Sequence, residues 1–406
     1  MQEYSPEQAL WEIRREFGEH GGVAPSISRS STFTVMDPNI MPDIFKGVRG
    51  PHKGGYFLYS RHFNPTVETL SREIAAMDNT EAAVSTASGM SAIACTLMQL
   101  CKQGDHIVSS NTVYGGTHAL FDQLFPEMGI TTTFADPGDP QTFEEAINPQ
   151  TRVLYTETVG NPTLRIADIP ALAEIARRHN LKLVVDNTFT PMLITPSLLG
   201  ADVVVYSLTK FVNGASDVIA GAICGTEAFM LELMDLHKGR AMLLGPTMDA
   251  RVAFDIQQRL PHLATRMKEH SRRALAIAQH LENLKLKVNY PGLPSHPQHK
   301  LIDAISNKGY GYGGILTIDC GTSDLANVML SNLQNKERFG LIAVSLGYFD
   351  TLMSVSSAST SSEISDEDQK KMGLSPGLIR LSIGITGDLD ARLEQIERAA
   401  KEAGLV

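Results

Sequence analysis

The sequence has few cysteines, no long apolar run and no cluster of basic residues. Its four cysteines are spread over 406 residues, and none forms a Cys-x-x-Cys motif. This pattern predicts buried thiols in a reducing compartment rather than disulfides or metal ligands. The 12 histidines also lack the spacing of metal ligands, so we predict no metal site.

No segment approaches the roughly 18 consecutive apolar residues that a membrane-spanning helix needs. The first residues lack the basic and apolar regions of a signal peptide, so we expect a cytoplasmic protein with no membrane partner. The formal net charge of −10, without a Lys/Arg cluster, argues against nucleic acid as a partner.

Strand-like and helix-like patterns alternate between about residues 65 and 225. This alternation predicts an α/β fold with a mostly parallel sheet covered on both faces. Residues 247–285 look helical throughout, and the rest resembles a smaller α+β domain with a final helix from about residue 389. The predicted strands are 82–86, 106–109, 131–134, 153–157, 181–186, 202–207, 218–224, 314–319, 342–345 and 378–383.

The N-terminal region reads differently from the centre. Ser5, Pro6 and Gln8 suit the N-cap, N1 and N3 positions of a first helix, which we expect to end near residues 18–22. From there to about residue 63 the chain is rich in Gly, Pro and Ser, and such long irregular segments are usually functional or bound to a neighbour. We predict three regions, namely an arm that contributes to the neighbouring subunit's site (1–63), a cofactor-binding α/β domain (64–260) and a C-terminal α+β domain (261–406).

Two predicted strands end on unexpected side chains. One apolar run is followed by Ser207, Thr209 and Lys210, and another is followed by Asp186. An amine can bond covalently to pyridoxal 5′-phosphate, and a carboxylate can keep the ring nitrogen of this cofactor protonated. Because ligands of open α/β sheets lie beyond the carboxyl ends of the strands, the pattern predicts a pyridoxal 5′-phosphate site. Taken singly, Lys210 could be a solvated lysine and Asp186 a helix cap.

Other candidates have two interpretations each. Gly89 and Met90 open a predicted helix, where backbone N–H groups could bind a phosphate, although small-residue turns are common. Tyr114 precedes two glycines and is either a packing residue or a ring stacked on the cofactor. Arg380 lies inside an apolar strand and needs an anionic partner, which could be a substrate carboxylate or the strand-borne Asp319.

Two further segments lie outside the regular pattern. Tyr59 and Arg61 belong to the irregular N-terminal region and could reach the phosphate of a neighbouring subunit. The serine-rich stretch 354–362 is typical of a flexible surface loop.

Together these segments closely resemble the Cys/Met-metabolism, or transsulfuration, family of pyridoxal-phosphate enzymes, from about residue 22 to the end. The resemblance implies the fold type I architecture and a homotetramer of two close dimers with shared sites. The motifs that carry it are Tyr59-Ser60-Arg61, Asn64-Pro65-Thr66, Ser88-Gly89-Met90, Tyr114-Gly115-Gly116-Thr117, Glu157-Thr158-Val159-Gly160-Asn161-Pro162-Thr163, Val185-Asp186-Asn187-Thr188-Phe189, Ser207-Leu208-Thr209-Lys210, Ser345-Leu346-Gly347 and Arg380-Leu381-Ser382-Ile383-Gly384.

The resemblance also implies roles by position. Lys210 would be the Schiff-base lysine and proton shuttle, Asp186 the partner of the ring nitrogen, and Tyr114 a ring-stacking general acid. The implied phosphate ligands are Gly89, Met90, Ser207, Thr209 and, from the neighbouring subunit, Tyr59 and Arg61. The residues implied to hold the substrate carboxylate are Asn161, Ser345 and Arg380.

Within the family, segments 56–67, 352–363 and 375–378 look most like plant-type methionine γ-lyases. This implies α,γ-elimination of L-methionine to methanethiol, 2-oxobutanoate and ammonia. Bacterial methionine γ-lyases carry a cysteine at the position of Gly116 and a His/Pro/Met-bearing segment at the serine-rich stretch, which the resemblance makes a pocket wall.

Four alternatives stay open from the sequence. Two are within the family, namely a cystathionine γ- or β-lyase and an O-acetylhomoserine sulfhydrylase, because these enzymes share every cofactor residue. The third is a non-catalytic regulator that binds the cofactor, and the fourth is a structural α/β protein without a cofactor.

Overall fold

A seven-stranded sheet forms the centre of the fold. The computed structural model describes residues 4–14, 17–51, 53–356 and 374–406. Strands β2 to β6 run parallel in the order β6-β5-β4-β2-β3, and β7 lies antiparallel between β6 and β1. The strands are β1 (Ala82–Thr86), β2 (His106–Ser110), β3 (Thr131–Ala135), β4 (Thr151–Glu157), β5 (Lys182–Asp186), β6 (Val203–Ser207) and β7 (Gly221–Gly225).

A second, five-stranded sheet is formed by the C-terminal part of the chain. Its order is β10-β11-β12-β9-β8, antiparallel except for the β10–β11 pair. Its strands are β8 (Lys287–Asn289), β9 (Ile315–Asp319), β10 (Leu341–Ile342), β11 (Leu352–Val355) and β12 (Leu378–Ser382).

Helices cover both sheets. The α-helices are α1 (Pro6–Ile13), α2 (Met41–Phe45), α3 (Pro65–Met77), α4 (Gly89–Leu100), α5 (Gly115–Ala119), α6 (Phe125–Glu127), α7 (Pro140–Glu145), α8 (Ile169–Arg178), α9 (Glu227–Leu233), α10 (Arg240–Leu244), α11 (Ala250–Arg259), α12 (Leu263–Asn283), α13 (His299–Ile305), α14 (Ser323–Ser331) and α15 (Leu389–Glu402). Shorter 3₁₀ or π turns cover Glu19–Gly21, Pro38–Ile40, Leu120–Leu124, Pro196–Leu199, Leu260–His262 and Asn332–Lys336.

The central sheet is apolar on both faces because helices pack against each of them. On β5, Leu183 and Val185 join a core with α3, α8 and α11, whereas Val184 points to the opposite core, which includes α4. A strand buried on both sides reads as a continuous apolar run. The second sheet has its own core with residues of α12, α14 and α15.

The predicted alternation of strands and helices is confirmed. Every predicted strand of the central sheet is present, with ends displaced by at most three residues. The N-cap at Ser5 is also present, with its side chain accepting the Gln8 N–H. The predicted buried thiols are confirmed, since all four cysteines are buried and unpaired. The three regions divided at residues 63 and 260 stay a prediction.

Several local predictions were wrong. The first helix ends at Ile13 rather than near residues 18–22, because Ile13 and Phe17 are exposed and a further turn would have no apolar surface to cover. The helical stretch 247–285 is divided by a 3₁₀ turn at Leu260–His262, where Pro261 cannot donate a helical hydrogen bond.

The C-terminal sheet departs further from the sequence pattern. The strand predicted at 342–345 shrinks to Leu341–Ile342, because Ser345 has a left-handed backbone with φ of 104°. Strands β8 and β11 were not predicted. Ser354 and Ser356 are buried at the end of β11, so a surface loop is the wrong interpretation for them, and residues 357–362 of the serine-rich stretch lie outside the described residues.

No helix within the described ranges is both long and apolar enough to cross a membrane.

Candidate active site

A cavity of about 420 Å³ opens at the carboxyl ends of β4, β5 and β6. It lies between the two sheets, since residues of β12 and of the segment after β10 form its other wall. Ten of the twelve predicted site residues line it, namely Gly89, Met90, Tyr114, Asn161, Asp186, Ser207, Thr209, Lys210, Ser345 and Arg380. The structure therefore brings together residues that are up to 291 positions apart in the chain (from 89 to 380).

Asp186 is a buried carboxylate without a cationic partner among the described residues. It ends β5, and its Oδ1 accepts the backbone N–H of Thr188 at 2.9 Å. Burial raises the pKa of Asp186 to about 6. A cation placed against this carboxylate would favour its ionised form, so the site suits a protonated ring nitrogen.

Lys210 is a partly buried amine in the turn that follows β6. Its Nζ donates a hydrogen bond to the Ser345 hydroxyl at 2.8 Å. Burial, and then the nearby charge of Arg380, lower the pKa of Lys210 to about 8. A neutral amine is therefore accessible near neutral pH, as a nucleophile or a proton acceptor requires.

Arg380 is a buried guanidinium on β12. It donates hydrogen bonds to Asn161 Oδ1 at 3.1 Å and to the Ser345 carbonyl at 2.8 Å, but no described residue accepts a hydrogen bond from its Nε. Burial lowers the pKa of Arg380 to about 10. A buried charge without an anionic partner is costly, so this cavity wall suits a ligand carboxylate.

The predicted alternative for Arg380 was wrong. Asp319, on the adjacent β9, accepts a hydrogen bond from Ser375 at 2.6 Å and pairs with Lys287 at 3.4 Å. In the β9–β12 register, Arg380 lies opposite Thr317 and Asp319 lies opposite Leu378. Asp319 and Arg380 therefore occupy different positions along the sheet.

The N-terminus of α4 meets the end of β6 very closely. An added Cβ at Gly89 would lie 2.6 Å from the Cβ of Ser207, so this approach requires glycine. Ser88 caps the helix by accepting the N–H of Ser91, and Gly89 and Met90 supply the first backbone N–H groups of the helix. Gly89, Met90, Ser207 and Thr209 line the same cavity, as a phosphate site needs, and the Thr209 hydroxyl donates to the Ala220 carbonyl at 3.2 Å.

The ring of Tyr114 packs over a glycine. A Cβ added to Gly116 would lie 2.6 Å from Cε1 of Tyr114 and 3.3 Å from Sδ of Met90. The backbone N–H of Tyr114 donates to Glu157 at 2.6 Å. The position that differs from bacterial methionine γ-lyases is thus in contact with the predicted general acid.

Tyr59 and Arg61 do not line the cavity of their own chain. The Arg61 guanidinium donates to the carbonyl of Met242 at 3.0 Å and lies over the Tyr59 ring, which is about half exposed. Their predicted role in a neighbouring subunit's site stays a prediction.

Glu157 is the main site residue that received no role from the sequence. It lines the cavity next to Asp186, which it faces in the β4–β5 register. A signal was available, because Glu157 ends an apolar strand just as Asp186 does.

A family model described as Cys/Met metabolism PLP-dependent enzyme matches residues 10–399. The chain belongs to this family. It is 52% identical to methionine γ-lyase of Arabidopsis thaliana over 97% of this chain and 90% of that one. It is 34% identical to cystathionine γ-lyase of Bacillus subtilis over 94% and 97% of the two chains.

Solved structures agree with this membership. Cystathionine γ-lyase from Lactobacillus plantarum, complexed with L-serine, superposes with a TM-score of 0.88 at 29% identity over 99% of this chain and 100% of that one. A Campylobacter jejuni chain with the same TM-score contains N′-pyridoxyl-lysine 5′-monophosphate and is 26% identical over 98% and 100% of the two chains. The predicted fold type I class, the cofactor pyridoxal 5′-phosphate and the assignment as an enzyme are confirmed.

Proposed function

We propose that this enzyme is a carbon–sulfur lyase that catalyses α,γ-elimination of L-methionine. The reaction consumes one molecule of water, and the products are methanethiol, 2-oxobutanoate and ammonia. The observation that carries amino-acid chemistry is the joint contact of Lys210 and Arg380 with Ser345, which places a proton acceptor beside a guanidinium that can bind a carboxylate. The identity to a plant methionine γ-lyase supports methionine as the substrate.

Arg380, which lines the cavity, would hold the substrate carboxylate, and Asn161 and Ser345 keep the guanidinium in place. This fixes the Cα–H bond of the amino acid towards Lys210, which lines the same cavity. Holding the reacting groups in this orientation raises the rate of the chemical step.

The remaining residues would bind the cofactor or transfer protons. When bound, pyridoxal 5′-phosphate supplies the electron sink that makes the protons next to the amine acidic. Asp186 would keep the ring nitrogen protonated, while Gly89, Met90, Ser207 and Thr209 would hold the phosphate. Lys210, whose pKa is about 8, would take the Cα proton, and a second proton must leave Cβ before the Cγ–S bond can break.

Tyr114 would protonate the departing sulfur. Its phenol lies close enough to Arg380 to act on the pKa of the guanidinium, so a cation is near the acid.

A side-by-side assay of purified enzyme tests the substrate. Methionine should give equal amounts of methanethiol and 2-oxobutanoate, faster than cystathionine releases cysteine. If methionine is inert and O-acetylhomoserine with sulfide gives homocysteine, the lyase proposal is wrong. If cystathionine is cleaved and methionine is not, the enzyme is a cystathionine lyase.

Lys210→Ala is the control for chemistry at the cofactor. Turnover should fall by about 1,000-fold or more, because nucleophile and base are lost together. Borohydride should bleach the yellow wild-type protein and fix the cofactor on Lys210. A Lys210→Ala protein that still turned over methionine would contradict the role of Lys210.

We also propose a homotetramer of two close dimers that share their sites. Supporting this, Tyr59 and Arg61 lie outside the cavity of their own chain, and Met36 in the same N-terminal region is almost fully exposed. Ile219 and Val344, on the rim of the cavity, are also exposed apolar side chains of the kind that subunit contacts cover.

Mixed assemblies test the shared site. Lys210→Ala and Arg61→Ala chains, each inactive alone, should regain activity when they are refolded together. Random pairing puts one intact site into half of the dimers, so about one quarter of the wild-type activity should return. No recovery in mixed dimers would mean that Arg61 serves its own chain.

A further inference from the structure

Glu157 and Asp186 form a pair of buried carboxyl groups at neighbouring strand ends. They are opposite each other in the parallel β4–β5 register, so their side chains lie on the same face of the sheet. Both line the cavity, and each is only 7% exposed. The proposed function assigns a role to Asp186 but none to Glu157.

The two oxygens of Glu157 have separate partners. Oε1 accepts the backbone N–H of Tyr114 at 2.6 Å, and Oε2 accepts the backbone N–H of Asn161 at 3.3 Å. Tyr114 precedes α5, and Asn161 lies in the loop after β4. One carboxyl group therefore ties two separate loops to the end of the same strand.

Each of these loops carries a group that faces the ligand. The ring of Tyr114 lines the cavity, and Asn161 accepts the hydrogen bond that holds the guanidinium of Arg380. A shift of Glu157 would therefore move both Tyr114 and, through Asn161, Arg380. Displacements of about 1 Å in positioning groups cost about 100-fold in rate.

The carboxyl group is also costly to bury. Desolvation, and then the neighbouring charge of Asp186, raise the pKa of Glu157 well above its usual range, while the N–H groups of Tyr114 and Asn161 oppose this rise. A glutamine would satisfy one of these N–H groups at lower cost. The acid is therefore difficult to explain by stability alone.

We propose that Glu157 is a positioning residue that holds the Tyr114 ring and, through Asn161, the Arg380 clamp in their working places. The inference rests on the proposed function only in taking the ligand to be an α-amino acid. It does not depend on which sulfur amino acid is cleaved.

Glycine binding to the holoenzyme gives a readout that requires no turnover. Glycine has the amine and carboxylate of a substrate but no group to eliminate, and its binding can be followed by the absorption of the cofactor. Glu157→Gln keeps the shape of the side chain and one acceptor oxygen. We expect its glycine dissociation constant to rise about 10-fold, as leaving one buried N–H group without its hydrogen bond implies.

A double-mutant cycle shows whether the effect passes through Asn161. Asn161→Ala should also weaken glycine binding, and adding Glu157→Gln should then change the constant by less than about 2-fold. If the two effects multiply, or if Glu157→Gln binds glycine as the wild type does, the proposal is overturned. Glu144→Gln, the same change on the surface between α7 and α8, should have no effect.

Kinetics supply the second readout. With whichever amino acid the wild type turns over, Glu157→Gln should lower kcat as well as raise KM, since both the acid and the clamp move. If Glu157→Gln does not fold, Glu157→Asp, which is too short to reach both N–H groups, is judged by the same two criteria. If the wild type does not turn over methionine, the proposed substrate is wrong, but the glycine-binding result still tests the positioning role of Glu157.

Discussion

Nζ of Lys210 lies 2.8 Å from the hydroxyl oxygen of Ser345, whose backbone φ of 104° is in the left-handed region. The carbonyl of the same residue accepts a hydrogen bond from Arg380 at 2.8 Å. A non-glycine residue in such a conformation costs on the order of 1–3 kcal/mol. One strained residue thus fixes the amine of Lys210 and the guanidinium of Arg380 relative to each other.

Two substitutions at Ser345 distinguish the effect of its strained backbone from the effect of its hydrogen bond with Lys210. Ser345→Ala and Ser345→Gly both remove the hydroxyl that anchors Lys210, so both should lower kcat by a similar factor, about 10-fold. Only glycine adopts the left-handed backbone without strain, so Ser345→Gly should be about 1 kcal/mol more stable than Ser345→Ala. Urea unfolding measures this difference, and an alanine variant as stable as the glycine variant would contradict the strain.

The amine of Lys210 should show its lowered pKa in the enzyme freed of cofactor. The neutral amine reacts, so the initial rate of bond formation with added pyridoxal 5′-phosphate should rise with pH and reach half its maximum near pH 8. Arg380→Gln removes a charge that lowers the pKa, so its profile should move to higher pH. Absorbance recorded after mixing at pH 6.5–9.5 measures both, with Lys210→Ala as the control that forms no band. An unmoved profile in Arg380→Gln would exclude the charge effect.

Gly116 is expected to set the position of the Tyr114 ring. Gly116→Ala places a methyl group where the ring lies, 2.6 Å from Cε1, so the ring must move. We expect kcat for the γ-elimination to fall about 10-fold or more. A Tyr114→Phe variant has no phenolic proton to position. In this background, Gly116→Ala should lower kcat only slightly. Steady-state assays of the four proteins test this, and equal losses in both backgrounds would show that Gly116 acts elsewhere.

Asp78 should make stability depend on pH. Its carboxyl is fully buried and accepts the Tyr206 hydroxyl at 2.8 Å, and burial raises its pKa to about 8. Between about pH 4 and pH 8 the unfolded chain loses a proton that the folded chain keeps, so this contribution to stability falls as the pH rises.

Asp78→Asn keeps the acceptor for Tyr206 and removes the titration. Its thermal midpoint should exceed that of the wild type by an amount that grows from pH 6 to pH 8 and then levels off. Melting curves followed by circular dichroism measure the trend. A constant difference between Asp78→Asn and the wild type over this pH range would contradict the raised pKa of Asp78.

Strand-borne features of the site could be predicted from the sequence because they depend on local pattern. Asp186 and Lys210 stand at or just beyond the ends of apolar runs, and parallel strands place their carboxyl ends at one edge of a sheet. Gly89 was recognisable for the same reason, as the first residue of a helix after a strand.

Features that depend on long-range contacts could not be predicted. Ser345 reads as part of a strand, and only its contacts with Lys210 and Arg380 explain its left-handed backbone. The sequence also left Asp319 as a partner for Arg380, because pairing register is not visible in the sequence. The hydrogen bonds of Glu157 to two loops are likewise a property of the assembled site.

The cavity lies between two sheets that have separate hydrophobic cores. Lys210 follows a strand of the first sheet, and Arg380 belongs to the second. An amino acid whose nitrogen end faces Lys210 and whose carboxylate meets Arg380 is therefore a cross-link between the two halves of the molecule. For the lifetime of the complex, a ligand of fewer than about ten heavy atoms would add polar contacts between the two sheets and so stabilise the folded state by mass action.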